Sequence, residues 1–189
     1  MGSRGWRRVG LAAAGAVAFG VAMSVFKGND GGAVRNAIGN LSAPWLALAF
    51  VTGAAAGGGR VVGGALVGAL ATFLALGGFY VANSFVLHLG PHPWLTDLGL
   101  AFGNGYFFRF AALSGPVLGG LGAQWERTRS RPLVMLVASL FVFEPLAWLA
   151  YFGADYTSDA AVWVAEAAVG VAAVALYARQ GAPRRPPAS

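Results

Sequence analysis

The chain has 189 residues, of which 57% are hydrophobic and only 11% charged, and its mean hydropathy is +0.64. Soluble domains run at about 45–50% apolar and about 25% charged, so a water-soluble globule is excluded, and the length leaves no room for a second soluble domain beside one bundle. The net charge of +6 sits in short arginine clusters between apolar runs, which orients membrane helices rather than marking a nucleic-acid binder; the absence of cysteine excludes disulfides, iron–sulfur clusters and zinc–thiolate sites.

The first apolar run is Val9 to Phe26, preceded by Arg4, Arg7 and Arg8. A basic segment before an apolar one also describes a signal peptide, and Gly20-Val21-Ala22 would serve as a small-residue cleavage pattern. The run continues past it and further apolar segments follow, so an uncleaved first helix is expected. The segment from Gly28 to Asn40 carries Asn29, Asp30, Arg35, Asn36 and Asn40 and is too polar to span; Ala33 to Ile38 is expected to form one or two interfacial turns. Ser42 followed by Pro44 is a helix-start signal. The second helix then runs from Pro44 to Ala56, with Trp45 as an interfacial anchor. Gly57-Gly58-Gly59-Arg60 reads as a tight turn.

The third run, Val61 to Leu87, contains Gly64 and Gly68 at the small-xxx-small spacing that lets helix backbones approach in lipid. His88-Leu89-Gly90-Pro91-His92-Pro93 breaks it. The two histidines stand four apart, but Gly90 and Pro91 between them prevent a shared helical face, and no metal site is expected there. Trp94 to Gln124 exceeds the roughly 20 residues needed to span, so it is divided at Gly103-Asn104-Gly105: an interfacial turn from Trp94 to Phe102, then a helix from Tyr106 to Trp125. Glu126 to Arg131 reads as a charged loop, Pro132 to Phe152 as the fifth helix with Pro145 inside it, Asp155 to Asp159 as a polar turn and Ala160 to Tyr177 as the sixth helix. The Pro/Arg-rich residues 179–189 read as a disordered tail.

The expected fold is therefore an all-α polytopic transmembrane bundle of about six helices in three hairpins: a basic N-terminus over 1–8, the bundle over 9–178, and the tail. With the N-terminus inside, ten arginines fall on the inside segments, against Lys27, Arg35 and Arg109 outside or in the outer half. That bias predicts both termini in the cytoplasm, in the cytoplasmic membrane. Leu41-Ser42-Ala43-Pro44 and Leu113-Ser114-Gly115-Pro116 match at a spacing of 72 residues. This is either a structural repeat of the transporter kind or simply a good helix-start sequence used twice.

Three ionisable residues interrupt apolar runs: Arg109, Glu144 and Glu166. Each charge within a bilayer costs at least about 2.5–3.5 kcal/mol. At a rise of about 1.5 Å per residue, they lie roughly 22, 18 and 20 Å from the inner ends of their helices. The similar depth predicts one cluster, with Arg109 neutralising one or both carboxylates. Such a cluster is either a polar clamp that fixes helix packing or the lining of an outer-half cavity that meets a solute, ion or proton. Tyr80, Asn83 and Asn104 fall at the same level, along with Ser84, Tyr106 and Tyr151, and Asn36 and Asn40 could cover it. The aromatics also suit an interfacial belt, and Asn83 and Asn104 also suit helix caps.

No phosphate loop, dinucleotide fingerprint, His-Glu-x-x-His or Gly-x-Ser-x-Gly occurs, and no histidine is placed in the bilayer to activate Ser42 or Ser114. No catalytic residue and no cofactor is therefore expected. The first function expected is binding or transport of a small polar or anionic solute at Arg109, Glu144 and Glu166; the second is a non-transporting scaffold or a subunit of another membrane protein.

Gly39-Asn40-Leu41-Ser42-Ala43-Pro44-Trp45, Ala49-Phe50-Val51-Thr52-Gly53 and Gly77-Gly78-Phe79-Tyr80 resemble a small family of actinobacterial integral membrane proteins with six helices. The resemblance spans most of the chain, fits the arginine- and alanine-rich bacterial composition, and implies no activity, ligand or site residue. In layout the chain is also similar to the substrate-binding subunits of energy-coupling-factor vitamin transporters. That likeness implies that a small-residue stripe on the first helix, here Ala12, Ala16 and Gly20, docks a partner subunit.

Overall fold

A computed structural model describes residues 3–28, 32–39, 41–86, 99, 106–152 and 160–179. Among the described residues all regular structure is helical, with no strand. The helices are α1 (Ser3–Lys27), α2 (Gly32–Gly39), α3 (Ala43–Ala56), α4 (Val61–Val86), α5 (Tyr106–Thr128), α6 (Arg131–Phe152) and α7 (Ala160–Arg179). Four stretches are long and apolar enough to cross a membrane: Gly5–Lys27, Val34–Ala56, Val61–Val86 and Ala160–Arg179. Val62 is 72% exposed, Leu66 and Leu113 69%, and Val164 70%. A soluble protein does not leave so many large apolar side chains open together, whereas lipid covers them at no cost.

The expected starts of α3, α4, α5, α6 and α7 fall within a residue of the observed ones. Helix α7 runs two residues past the expected Tyr177, to Arg179, the first residue of the expected tail, and two other boundaries differ. Helix α1 begins at Ser3 rather than Val9, because the arginines before the apolar run are themselves good helix formers. The charged loop after α5 shrinks to Arg129 and Ser130, since α5 continues through Glu126 and Arg127 to Thr128. Arg129 closes it with a left-handed φ of 50° while its N–H donates to the Trp125 carbonyl at 2.7 Å. Its guanidinium lies 4.7 Å from the centre of the Trp125 ring and pairs with Glu126 at 2.8 Å. The His88–Pro93 break, the Trp94–Phe102 turn, the Asp155–Asp159 turn and the tail beyond Arg179 lie outside the described residues.

The centre of the bundle is α3, α4 and α5, brought together by glycine. A Cβ built on Gly68 would lie 2.6 Å from the Gly119 Cα, and one built on Gly53 2.5 Å from that same Cα. Gly119 of α5 thus touches backbone on both neighbours, and Gly115, Gly122 and Gly64 make similar contacts. Lipid supplies no hydrophobic drive between helices, so close backbone packing of small residues is what holds them. Where side chains return, Phe50, Leu118 and Val137 form an apolar cluster flanked by Leu46, Leu121 and Trp125. The turn between α3 and α4 is the expected one, with Gly58 at φ 62° and Gly59 at φ 70°.

Helix α1 lies against α4. Ala16, Ala71 and Ala75 are fully or almost fully buried together, and a Cβ on Gly20 would meet the Ala75 backbone carbonyl carbon at 2.8 Å. The Ala16–Gly20 part of the stripe thus packs on α4 within the chain, while Ala12 is half-buried. The two Leu-Ser-small-Pro segments do not occupy equivalent places. Pro44 stands in the first turn of α3, whereas Pro116 lies inside α5. The match follows local composition, not a shared position in two repeats.

At its far end α1 stops at Gly28, which has φ 62° and donates to the Ser24 carbonyl at 3.0 Å, a left-handed cap. Arg35 of α2 reaches back across it, donating to the Phe26 carbonyl at 2.7 Å and the Val25 carbonyl at 3.2 Å. A guanidinium thus sits where the helix leaves carbonyls unpaired and its dipole is negative. Arg35→Ala is expected to lower stability by about 1–2 kcal/mol. Hydrogen exchange of amides in α2 and the last turn of α1 would show it; unchanged protection there would count against the cap.

Candidate functional site

Helix α3 begins in a way that creates a demand for acceptors. Ser42 stands at the N-cap position in an α-helical conformation, and its side chain makes no capping bond. Pro44 has no N–H to satisfy, and the N–H groups of Trp45 and Leu46 both donate to the Ser42 carbonyl, at 3.0 and 3.1 Å. The N–H groups of Ser42 and Ala43 are left, and Ala43 is fully buried. Both donate to Glu144 of α6: Ser42 to Oε1 at 2.6 Å and Ala43 to Oε2 at 2.5 Å. One carboxylate from a helix about a hundred residues away thus completes the N-terminus of α3, with the charge sign the helix dipole favours.

Glu166 of α7 is the second carboxylate of this face. It is 5% exposed, and neither of its oxygens meets a hydrogen-bond donor. Its charged neighbour is Glu144, which is also an acceptor, so the two carboxyls can bond each other only by sharing a proton. Beside them α2, α6 and α7 leave an open groove of about 390 Å³, walled by Val34, Ile38, Leu41, Phe141 and Val169; among the described residues Glu166 is its one ionisable lining residue, and its carboxyl oxygens are themselves buried. A second groove of about 580 Å³ runs on between α3, α6 and α7, from Phe141 and Val169 down to Trp125, Arg129 and Tyr177. The two share a wall because α7 packs on α6 and touches α2 but does not reach α3.

The expected group of three charges is not assembled. Arg109 is exposed on the first turn of α5, and among the described residues the only ion pair is Arg129 with Glu126. The reason is rotational: equal depth along separate helices does not fix the direction each residue faces. Phe108, the residue before Arg109, is the one that turns inward, stacking on Tyr80 with centroids 6.0 Å apart. Tyr80 and Asn83 are half-buried on α4, and Tyr80 packs on Phe108 of α5. Asn36 is exposed on α2. Asn40 and Asn104 lie outside the described residues. The backbone amides of Ser42 and Ala43 were not anticipated as partners, although Ser42-Ala43-Pro44 signals a helix start whose first N–H groups need an acceptor.

No family model, curated protein or solved structure matches this chain, so no activity or residue role is lent to it from outside. What the fold defines is a membrane-associated, all-helical protein with four helices able to cross a bilayer.

Proposed function

We propose that the chain is a multi-pass protein of the cytoplasmic membrane, with six spans in three hairpins and both termini inside, that binds or carries a small solute at the Glu144–Glu166 face. The observation that carries this reading is Glu166: a carboxyl group buried in a membrane-spanning helix with no donor on either oxygen. A buried acceptor without a donor is costly, and an ionisable residue inside a membrane helix marks a site or pathway by default. The solute is a cation, a proton included. Two carboxylates repel the anion that a central Arg109 would have attracted, and Arg109 stands apart from them.

The bonds from Glu144 to α3 favour a second reading, a scaffold or partner subunit in which the buried acids only fix packing. A carboxylate that caps a helix in trans is a structural device in its own right.

Glu166→Gln separates the two. In the binding reading the variant keeps its fold, with stability unchanged or raised by about 1–3 kcal/mol, because an unpaired charge is removed, and it loses cation flux or binding in reconstituted liposomes. In the scaffold reading the variant is destabilised and there is no flux to lose. Uptake of sodium, potassium or protons that is the same in wild type and variant would refute the assignment of Glu166.

A further inference from the structure

The groove between α3, α6 and α7 ends where the bundle carries its arginines. We infer that it binds an anionic glycerophospholipid, with one acyl chain along the groove and the lipid phosphate on Arg129. This site lies apart from the Glu166 carboxyl and does not depend on the solute-binding reading.

The walls suit the chain. Val51 of α3 and Val169 of α7 are exposed, and they line a groove of about 580 Å³ together with Phe50, Val134, Val137 and Phe141. The groove exists because α7 packs on α6 without reaching α3. Left empty, it would forfeit the dispersion contacts of every atom that lines it. From Val169 to Tyr177 the helix rises roughly 12 Å, close to the roughly 15 Å of hydrocarbon in one leaflet, half of the membrane core. Spread over that length, the volume gives a cross-section of roughly 50 Å², against roughly 80 Å² for a helix about 10 Å across. A hydrocarbon chain therefore enters where a partner's helix does not.

The mouth suits the headgroup. Trp125, Glu126, Arg129 and Tyr177 line that end of the groove, and Trp and Tyr favour the level of the lipid headgroups. Arg129 is held there by its left-handed backbone, by the Trp125 ring against its guanidinium and by the bond from Nη2 to Glu126. That bond uses one of the five N–H donors of a guanidinium, and the planar fork matches the oxygens of a phosphate. Glu126 offsets one charge only. Among the described residues, Arg60, Arg127, Arg129, Arg131 and Arg179 stand at this end of α3–α7 against that single acid. A phosphatidylcholine would bring its own cation among these arginines, and a free phosphate would make no use of the apolar walls.

The test titrates the full chain in mild detergent with dioleoyl phosphatidylglycerol, dioleoyl phosphatidylcholine or glycerol 3-phosphate, and counts bound molecules by native mass spectrometry. One phosphatidylglycerol is expected to bind about fivefold or more tightly than phosphatidylcholine, the scale of one basic residue against an anionic lipid. Glycerol 3-phosphate is expected not to be retained at the same concentrations. Arg129→Asn removes the charge and suits a left-handed backbone; it is expected to abolish the preference and leave phosphatidylcholine binding unchanged. Ala55→Phe fills the groove from an exposed position on α3. It is expected to weaken both lipids about fivefold or more, and it keeps the test decisive should Arg129→Asn fail to fold. Equal affinity for the two lipids overturns the inference, and so does a preference that survives either substitution. Glycerol 3-phosphate bound as tightly as the lipid would assign Arg129 to a soluble anion and overturn it too. A dimer that Ala55→Phe dissociates, with no lipid preference, would give the groove to a second copy of the chain instead.

Discussion

Glu144→Ala is expected to lower the unfolding free energy by about 2–4 kcal/mol. The substitution removes two charge-assisted hydrogen bonds, each worth about 1.5–3 kcal/mol, and strands the Ser42 and Ala43 N–H groups where no other acceptor bonds them. It also withdraws the negative charge from the positive end of the α3 dipole. The effect reaches beyond α3, because α6 meets α3 and α5 along only part of its length and Glu144 is the polar tie across that seam. Glu144→Gln should fall between the two, since an amide offers one oxygen to two donors and turns its own NH2 toward the other. Unfolding in mild detergent, followed by tryptophan fluorescence, measures the loss, and hydrogen exchange at Ser42 and Ala43 locates it. An alanine variant as stable as the wild type would mean that the cap contributes nothing.

How much of this was readable from the sequence follows from what each signal encodes. Apolar run length, the Ser42–Pro44 start and the Gly57–Gly59 turn are local, and α3, α4, α5 and α7 lie where those signals put them. Glu144 and Glu166 could be flagged because a charge within an apolar run stands out in one dimension. Which charges meet could not be read, because that depends on the rotation of each helix about its axis. In α5 it is Phe108 that turns toward Tyr80, so Arg109 faces outward, and an equal-depth estimate carries no trace of this. The role of Glu144 was hidden for another reason: its partners are backbone amides, which every residue has and no residue type reveals. Arg35 shows the same thing with the opposite sign, a cation on the carbonyl end of α1. In both cases a polar side chain placed near lipid is used to complete a helix terminus, where the backbone has no partner of its own.

Gly119→Leu is expected to prevent assembly of the α3–α4–α5 centre, and even Gly119→Ala should cost about 2–4 kcal/mol. The grounds are geometric. The position of a Cβ on Gly119 is 2.7 Å from the Gly68 Cα, closer than carbon atoms pack, and the obstruction is backbone, which cannot swing aside. The two helices must separate, and the dispersion contacts along both seams fall off steeply with even a small radial gap. Those contacts are the main attraction available between helices in lipid, so the loss is not confined to one residue. Gly77→Ala on α4 is the matched control. A Cβ there meets nothing within 4 Å, and the exchange should stabilise the helix by about 0.5–1 kcal/mol through lower backbone entropy in the unfolded chain. Gel filtration and thermal unfolding of the three variants in one detergent make the comparison. If Gly119→Ala behaves like Gly77→Ala, the bundle does not depend on backbone contact at Gly119, and its centre must be held by the side chains around Phe50 and Leu118 instead.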